Sequence, residues 1–157
     1  MVKAGRQLEN QGFEETVDGL LARAGNGVAV KYVLRFPEDR MVGGKYQMST
    51  HTIYLYIEEI IRQCRLLFGS IDRLKEYMAV ITAHELGHSV DSELPGLADR
   101  LDKSLTIRER AEIQLRIEEN AWKYAVTLLP EIDSDFMRRI IDESLSSYRL
   151  RLENEIA

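Results

Sequence analysis

The residues of this sequence that are best suited to metal binding and catalysis are His84, Glu85 and His88, in the segment His84-Glu85-Leu86-Gly87-His88. On a helix, residues four apart share one face with their Cβ atoms about 5–6 Å apart, so both imidazoles can reach one ion. Glu85 is offset from His84 by about 100° around the helix. Its carboxylate would lie beside the ion and accept a proton from the water that the ion activates. The spacing predicts half of a zinc site, with Glu85 as general base for peptide hydrolysis.

A third protein ligand is expected, because a catalytic zinc ion usually has three and leaves its fourth position to water. The strongest candidates are the adjacent carboxylates Glu118 and Glu119. Glu118 lies in an apolar helical stripe, three residues after Leu115 and three before Ala121. An ionised carboxylate facing the core is costly unless a cation neutralises it. We therefore predict that Glu118 joins both histidines around one Zn²⁺ per chain, with Glu119 as the alternative.

Supporting roles have several candidates. Cys64 and His51 are conceivable ligands in place of a carboxylate. Asp91, three residues after His88, can accept a hydrogen bond from the second ring nitrogen of a histidine ligand. The donor to a developing oxyanion would be a tyrosine or histidine near the metal. The sequence does not choose among the candidates for that role, which are Tyr54, Tyr56, Tyr124 and His51.

Two other interpretations of the His84–His88 segment are weaker. The histidines can be surface residues of a helix that bind nothing. Alternatively, Glu85-Leu86-Gly87-His88 is also a Glu-x-x-His unit of the kind found in ferritin-like di-iron proteins, but such a site needs a second unit on another helix. The one remaining histidine, His51, falls in a predicted turn, which argues against the di-iron site.

Hydrophobic periodicity predicts the elements that position these residues. A first helix should span about residues 6–24 and stop at Gly25-Asn26-Gly27. A strand with alternating apolar residues should follow from Val28 to Phe36. Two more β-rich segments, 45–48 and Thr52 to Ile57, flank a turn at 49–51. We expect a small antiparallel sheet of about three strands, with the segment 52–57 at its edge.

The rest of the chain has helical periodicity, so the predicted fold class is α+β, with the sheet packed on a helical core. One helix should carry the His84–His88 segment, and another should carry the ligand glutamate. The predicted segments are a helix at 58–68, a helix at 70–90, a surface connection at 91–104, a helix from a capping box at 106–109 to Pro130, and a final amphipathic helix.

Length and composition are typical of one soluble globular domain, since the chain has 157 residues, of which 45% are hydrophobic and 30% charged. We divide residues 1–157 into an N-terminal helix (1–27), a catalytic core (28–130) and a C-terminal helix (131–157). The net charge of −5 argues against direct nucleic-acid binding. The single cysteine fits a cytoplasmic location, and the lack of a long apolar run argues against a membrane span.

These features together resemble the ImmA/IrrE family of zinc metallopeptidases and their minigluzincin relatives, over about residues 28–130. The resemblance rests on the His84–His88 segment, the preceding THTIYLYI (50–57) and the later IEENAWKYAVTLLP (117–130). It implies that His84, His88 and Glu118 bind zinc and that Glu85 is the catalytic base. Trp122 is a departure, because the family often has Asn or Asp at that position.

The resemblance also implies a substrate class. Members of the family typically cleave a repressor protein, so a protein or peptide substrate, such as a transcriptional repressor, is expected. The first and last helices lie outside the resemblance, and either can cover the cleft and keep the enzyme latent. The alternative is a non-catalytic regulator that retains the fold and binds a partner protein. The number of subunits is not predicted.

Overall fold

The computed structural model describes residues 2–38 and 42–156. Within these residues the protein has an α+β fold, in which a small sheet packs on a helical core, as predicted. The elements in chain order are α1 (Val2–Ala24), β1 (Ala29–Val33), β2 (Gly44–Gln47), β3 (Thr52–Tyr56), α2 (Ile57–Phe68), α3 (Leu74–Val90), α4 (Leu94–Leu101), α5 (Ile107–Leu128) and α6 (Ser134–Ile156).

Several helix ends follow directly from local sequence. Gly25 and Gly69, which follow α1 and α2, adopt left-handed backbone conformations with φ of 62° and 76°, which glycine reaches without a steric cost. α5 begins with the predicted capping box. The Thr106 hydroxyl accepts a hydrogen bond from the Glu109 N–H at 3.0 Å, and the Glu109 carboxylate accepts one from the Thr106 N–H at 3.2 Å.

The sheet has three strands in the order β1-β3-β2. β2 and β3 form an antiparallel hairpin, but β1 pairs in parallel with the other side of β3. The sheet is therefore mixed, and the prediction that it is antiparallel with residues 52–57 at its edge was wrong. The pairing of β1 is a tertiary contact that adjacent turns do not determine. Burial agrees with the central position of β3, since Ile53 and Leu55 are fully buried.

β1 is shorter than the strand predicted from Val28 to Phe36. Val28 and Phe36 are buried, but Tyr32 is 36% exposed and Leu34 is 50% exposed. The alternating apolar residues therefore do not form one continuous buried face. β1 lies at an edge of the sheet and ends at Val33, and the chain then bends away from the strand direction.

α3 is the central helix of the fold and packs against α1, α2, α5 and the sheet. It begins at Leu74, four residues after the predicted start at Ser70, and twelve of its 17 residues are buried. Most of the buried apolar residues that the structure describes join in one hydrophobic cluster, which extends from Phe13 on α1 to Leu145 on α6. A helix held on several sides gives its side chains well-defined positions, which the candidate site requires.

The segment 91–104 is not a plain connection, because it contains α4. Pro95 and Gly96 suggested irregular structure, but proline in the first turn of a helix interrupts no hydrogen bond. The final helix forms as predicted: α6 packs on α5 and buries Phe136 and Ile140. In the described part of the chain, no helix is both long and apolar enough to cross a bilayer.

Candidate metal centre

α3 brings His84, Glu85 and His88 together. One ligating atom from each of the three lies within 4.8 Å of the others. The two imidazole rings are 4.7 Å apart and are inclined at 71° to each other. The group is almost enclosed by protein, since Glu85 is 4% exposed and His88 is 9% exposed. These three residues can hold a metal ion.

α5 places Glu118 beside both histidines. Its Oε2 atom lies 2.8 Å from Nε2 of His84 and 3.5 Å from Nε2 of His88. Two ligand atoms that bind the same tetrahedral zinc ion at ordinary bond lengths are about 3.3 Å apart. The longer distance is close to that value, and the shorter one is a direct hydrogen bond, which an ion between the two atoms would replace. Two imidazoles and a carboxylate suit zinc and also several other divalent ions.

A close approach of α3 and α5 sets this geometry. A Cβ atom at Gly87 would collide with the Ala121 carbonyl oxygen and would lie 2.7 Å from the Ala121 Cα. Only glycine fits here without moving one of the helices. Since His88 follows Gly87 directly and Glu118 is one turn before Ala121, this contact sets the separation between the histidines and the third carboxylate.

The side chain of Glu85 extends from α3 toward the edge strand β2. Its Oε1 atom is 3.0 Å from Nδ1 of His84. A Cβ atom at Gly44 of β2 would be 2.8 Å from the Glu85 Cγ, so the glycine provides the space that the carboxyl side chain occupies. Glu85 therefore contacts the ring edge of His84 opposite the edge that faces Glu118.

The carboxylates make the cluster attractive to positive charge. Burial lowers the pKa of His84, but Glu85 and Glu118 outweigh this effect and raise the pKa to about 10. Burial raises the pKa of Glu118, but hydrogen bonds from His84 and His88 outweigh it and hold the pKa well below its usual range. In the metal-free protein, His84 therefore carries a proton between two carboxylates, and a divalent cation would replace that charge.

Trp122 covers one face of His84. The two rings are stacked, with centroids 4.3 Å apart and planes inclined at 24°. The indole Nε1–H donates a hydrogen bond to the hydroxyl of Ser144 on α6 at 3.1 Å. Trp122 is 3% exposed, so its ring is held within the core. The sequence marked Trp122 as a departure from the family that the chain resembles, and it did not indicate this contact.

The cluster lies on the wall of a cavity of about 870 Å³. β2, α3, α5 and α6 all contribute to this wall. Of the two outer helices that were expected to cover the cleft, α6 borders the cavity and α1 does not, as far as the structure describes them. No feature singled out in the sequence predicted the residues that α6 contributes, which are Arg139, Ile140, Glu143, Ser144, Ser147 and Tyr148. Their spacing places them on one helical face, which is the signal available in the sequence.

The other candidate ligands lie elsewhere. His51 hydrogen-bonds the Tyr46 hydroxyl at 2.8 Å and the Asn26 carbonyl at 3.0 Å. Cys64 is buried, and its thiol contacts the Ser70 carbonyl oxygen at 3.6 Å. Neither residue belongs to the described cavity wall. Both are therefore wrong as ligand candidates, because tertiary packing holds them in other hydrogen bonds.

Asp91 was a candidate for supporting a histidine ligand, and the structure places its carboxylate elsewhere. It accepts hydrogen bonds from the Glu93 N–H at 2.9 Å and from the Asn120 side chain at 3.2 Å. Nδ1 of His88 is buried and has no hydrogen-bond partner among the described residues. Asp91 is the first residue after α3, and tertiary contacts direct its carboxylate toward Glu93 and Asn120.

The tyrosines suggested for the oxyanion also lie outside the cavity wall that the structure describes. The suggested tyrosines were Tyr54, Tyr56 and Tyr124, and those that line the cavity are Tyr46, Tyr77 and Tyr148. Glu118, and not its neighbour Glu119, lines the cavity and contacts the histidines.

Comparison with family models, with curated proteins and with solved structures gave no match to this chain.

Proposed function

We propose that this protein is a zinc-dependent metallopeptidase. The observation that carries the proposal is the position of the Glu118 carboxylate on α5, in contact with His84 and His88 of α3 at the wall of a large cavity. In this proposal His84, His88 and Glu118 hold the ion. The resemblance to the ImmA/IrrE family supports the same assignment.

Glu85 is the proposed catalytic base. A bound divalent ion would supply an activated water and polarise the peptide carbonyl. Glu85 lies beside the histidines, so its carboxylate can accept a proton and deliver it to the departing nitrogen of the cleaved bond. One carboxylate oxygen, Oε1, hydrogen-bonds Nδ1 of His84, and the second oxygen can accept this proton.

The edge strand β2 is the proposed docking place for the substrate. β3 is central and has neighbours on both sides, whereas β2 pairs with β3 alone among the described strands. Residues 43–46, within and just before β2, line the cavity. An extended substrate segment can add to a free strand edge by backbone hydrogen bonds. We propose a cytoplasmic enzyme that cleaves a regulatory protein at one site, with a transcriptional repressor as the substrate that the family resemblance suggests.

The second candidate function is a non-catalytic regulator that binds a partner protein through the same fold. The same cavity would then recognise the partner without cleaving it. This candidate predicts that the effect of the protein in cells does not depend on the carboxylate of Glu85.

The conservative variant Glu85→Gln tests the proposal, with Glu14→Gln as a control at an exposed position of α1. Bound zinc is measured after dialysis, and cleavage is measured as new termini in a peptide library by mass spectrometry. We expect both variants to retain one zinc per chain. Turnover should fall by roughly 10²–10⁴-fold in Glu85→Gln alone. A wild-type protein that binds no zinc, or a Glu85→Gln variant with full turnover, would contradict the proposal.

A further inference from the structure

We propose that Trp122 is a positioning residue for the metal site, and that Ser144 on α6 fixes its indole. The inference rests on the proposed metal site, but it concerns residues outside the ligand set. Trp122 would hold the His84 imidazole in the orientation that directs Nε2 toward Glu118.

The stacking contact restricts a movement of His84 that would dismantle the site. The hydrogen bonds of His84 lie at its ring edges, on Nδ1 and Nε2. The indole covers a ring face, at a centroid distance of 4.3 Å and an angle of 24°. Rotation of the imidazole about its Cβ–Cγ bond would drive the ring into the indole, which the surrounding core holds in place.

The need for this contact follows from the role of Glu85. A histidine ligand is usually oriented by a hydrogen bond at its second nitrogen. For His84, the group at that nitrogen is Glu85 itself. When Glu85 takes up a proton, its carboxyl group loses its charge and becomes a weaker acceptor for this nitrogen. The support of His84 is then weaker during catalysis. A stacked indole holds the ring without using either nitrogen.

α5 and α6 together fix the indole. Trp122 lies four residues after Glu118, so one face of α5 supplies both a ligand and the ring that orients another ligand. The Nε1–H of Trp122 donates to Ser144, which also lines the cavity. This hydrogen bond links α6 to the metal site without placing any α6 residue among the ligands.

Substitutions at position 122 test the inference through zinc affinity, measured by competition with a chromophoric chelator, and through the visible absorption of the Co²⁺-loaded protein. We expect Trp122→Leu to lower zinc affinity by about 10–100-fold and to alter the Co²⁺ spectrum. Trp122→Phe retains a flat ring and should stay within about threefold of wild type. Leu128→Ala, a truncation at a buried position of α5 outside the described cavity wall, controls for general loss of packing and should leave both readouts unchanged.

If Trp122→Leu does not fold, Trp122→Met provides a longer and more flexible side chain of similar volume, which can adapt to the space of the indole without a flat ring. It should show the same loss of affinity. Ser144→Ala should lower zinc affinity by a few-fold and shift the fluorescence of Trp122, the only tryptophan in the chain. Wild-type affinity and spectrum in the folded Leu or Met variant would overturn the inference while the proposed function stands. A wild-type protein that does not bind zinc would overturn both.

Discussion

Gly87 on α3 and Ala121 on α5 approach so closely that a Cβ atom on the glycine would lie 2.7 Å from the Ala121 Cα and 2.8 Å from its carbonyl carbon. The backbone of one helix therefore contacts the backbone of the other beside the candidate ligands. No flexible side chain lies between the two helices here to absorb a change in their separation. The contact makes the distance between His88 and Glu118 a property of helix packing.

The contact predicts an unusual effect of alanine at position 87. Alanine normally favours a helix interior over glycine by about 0.5–1 kcal/mol. At this position it should instead lower the free energy of unfolding by about 1–3 kcal/mol, because the helices must separate. The matched control is Gly19→Ala in α1, where an added Cβ meets nothing within 4 Å. In chemical denaturation of the metal-free proteins, the free energy of unfolding should fall in Gly87→Ala and rise in Gly19→Ala, relative to wild type. A Gly87→Ala variant that is stabilised as much as Gly19→Ala would contradict the packing argument.

The sequence was sufficient for the local parts of the site. The spacing of His84 and His88 determines that they share a face once α3 forms, and the position of Glu118 in an apolar stripe indicates that it faces the core. In the structure, the Glu118 carboxylate lies in contact with both histidines. Helical periodicity is a short-range property, so these residues could be predicted without knowledge of the fold.

Features that depend on contacts between distant segments could not be predicted in this way. The parallel pairing of β1 with β3 and the hydrogen bonds of His51 both depend on such contacts. Tertiary packing also directs Asp91 toward Asn120 and not toward a histidine. The stacking of Trp122 on His84 is of the same kind, because an apolar position on a helix does not reveal which ring it covers.

Substitution of the two adjacent glutamates distinguishes the third ligand. Glu118→Gln should lower zinc affinity by roughly 100-fold or more, since loss of a residue that only hydrogen-bonds a metal ligand typically costs about 10–100-fold. Glu119→Gln should bind zinc as the wild type does, because Glu118 is the residue whose carboxylate contacts both histidines. Competition with a chromophoric chelator measures both affinities. A loss of zinc affinity in Glu119→Gln alone would show that Glu119, and not Glu118, is the third ligand.

The contact between Gly44 and Glu85 predicts a variant that separates metal binding from turnover. A Cβ atom at position 44 would lie 2.8 Å from the Glu85 Cγ and would displace the proposed base. We expect Gly44→Ala to remain folded and to bind zinc, but to lose roughly 100-fold in turnover, as a displacement of about 1 Å in a catalytic group can cause. Gly96→Ala on α4, where nothing lies within 4 Å of the added Cβ, is the control. Full turnover in Gly44→Ala would contradict the proposed role of Glu85 as the catalytic base.

The proton on His84 predicts a pH dependence of the metal-free protein. Burial lowers the pKa of His84, but Glu85 and Glu118 raise it from 6.5 to about 10 in the folded state. The stability that this proton contributes is therefore fully present below pH 6.5 and is lost as the pH rises toward 10. We expect the free energy of unfolding, measured by chemical denaturation, to fall across this range in the wild type.

His84→Gln is the control for this pH dependence, because it removes the titrating ring while the other groups that ionise at alkaline pH remain. The difference in free energy of unfolding between wild type and His84→Gln should narrow as the pH rises toward 10. Saturating zinc should suppress the fall in the wild type, since a bound ion replaces the proton and needs the neutral imidazole as its ligand. Parallel profiles for the metal-free wild type and variant would show that His84 does not hold the proton between the two carboxylates.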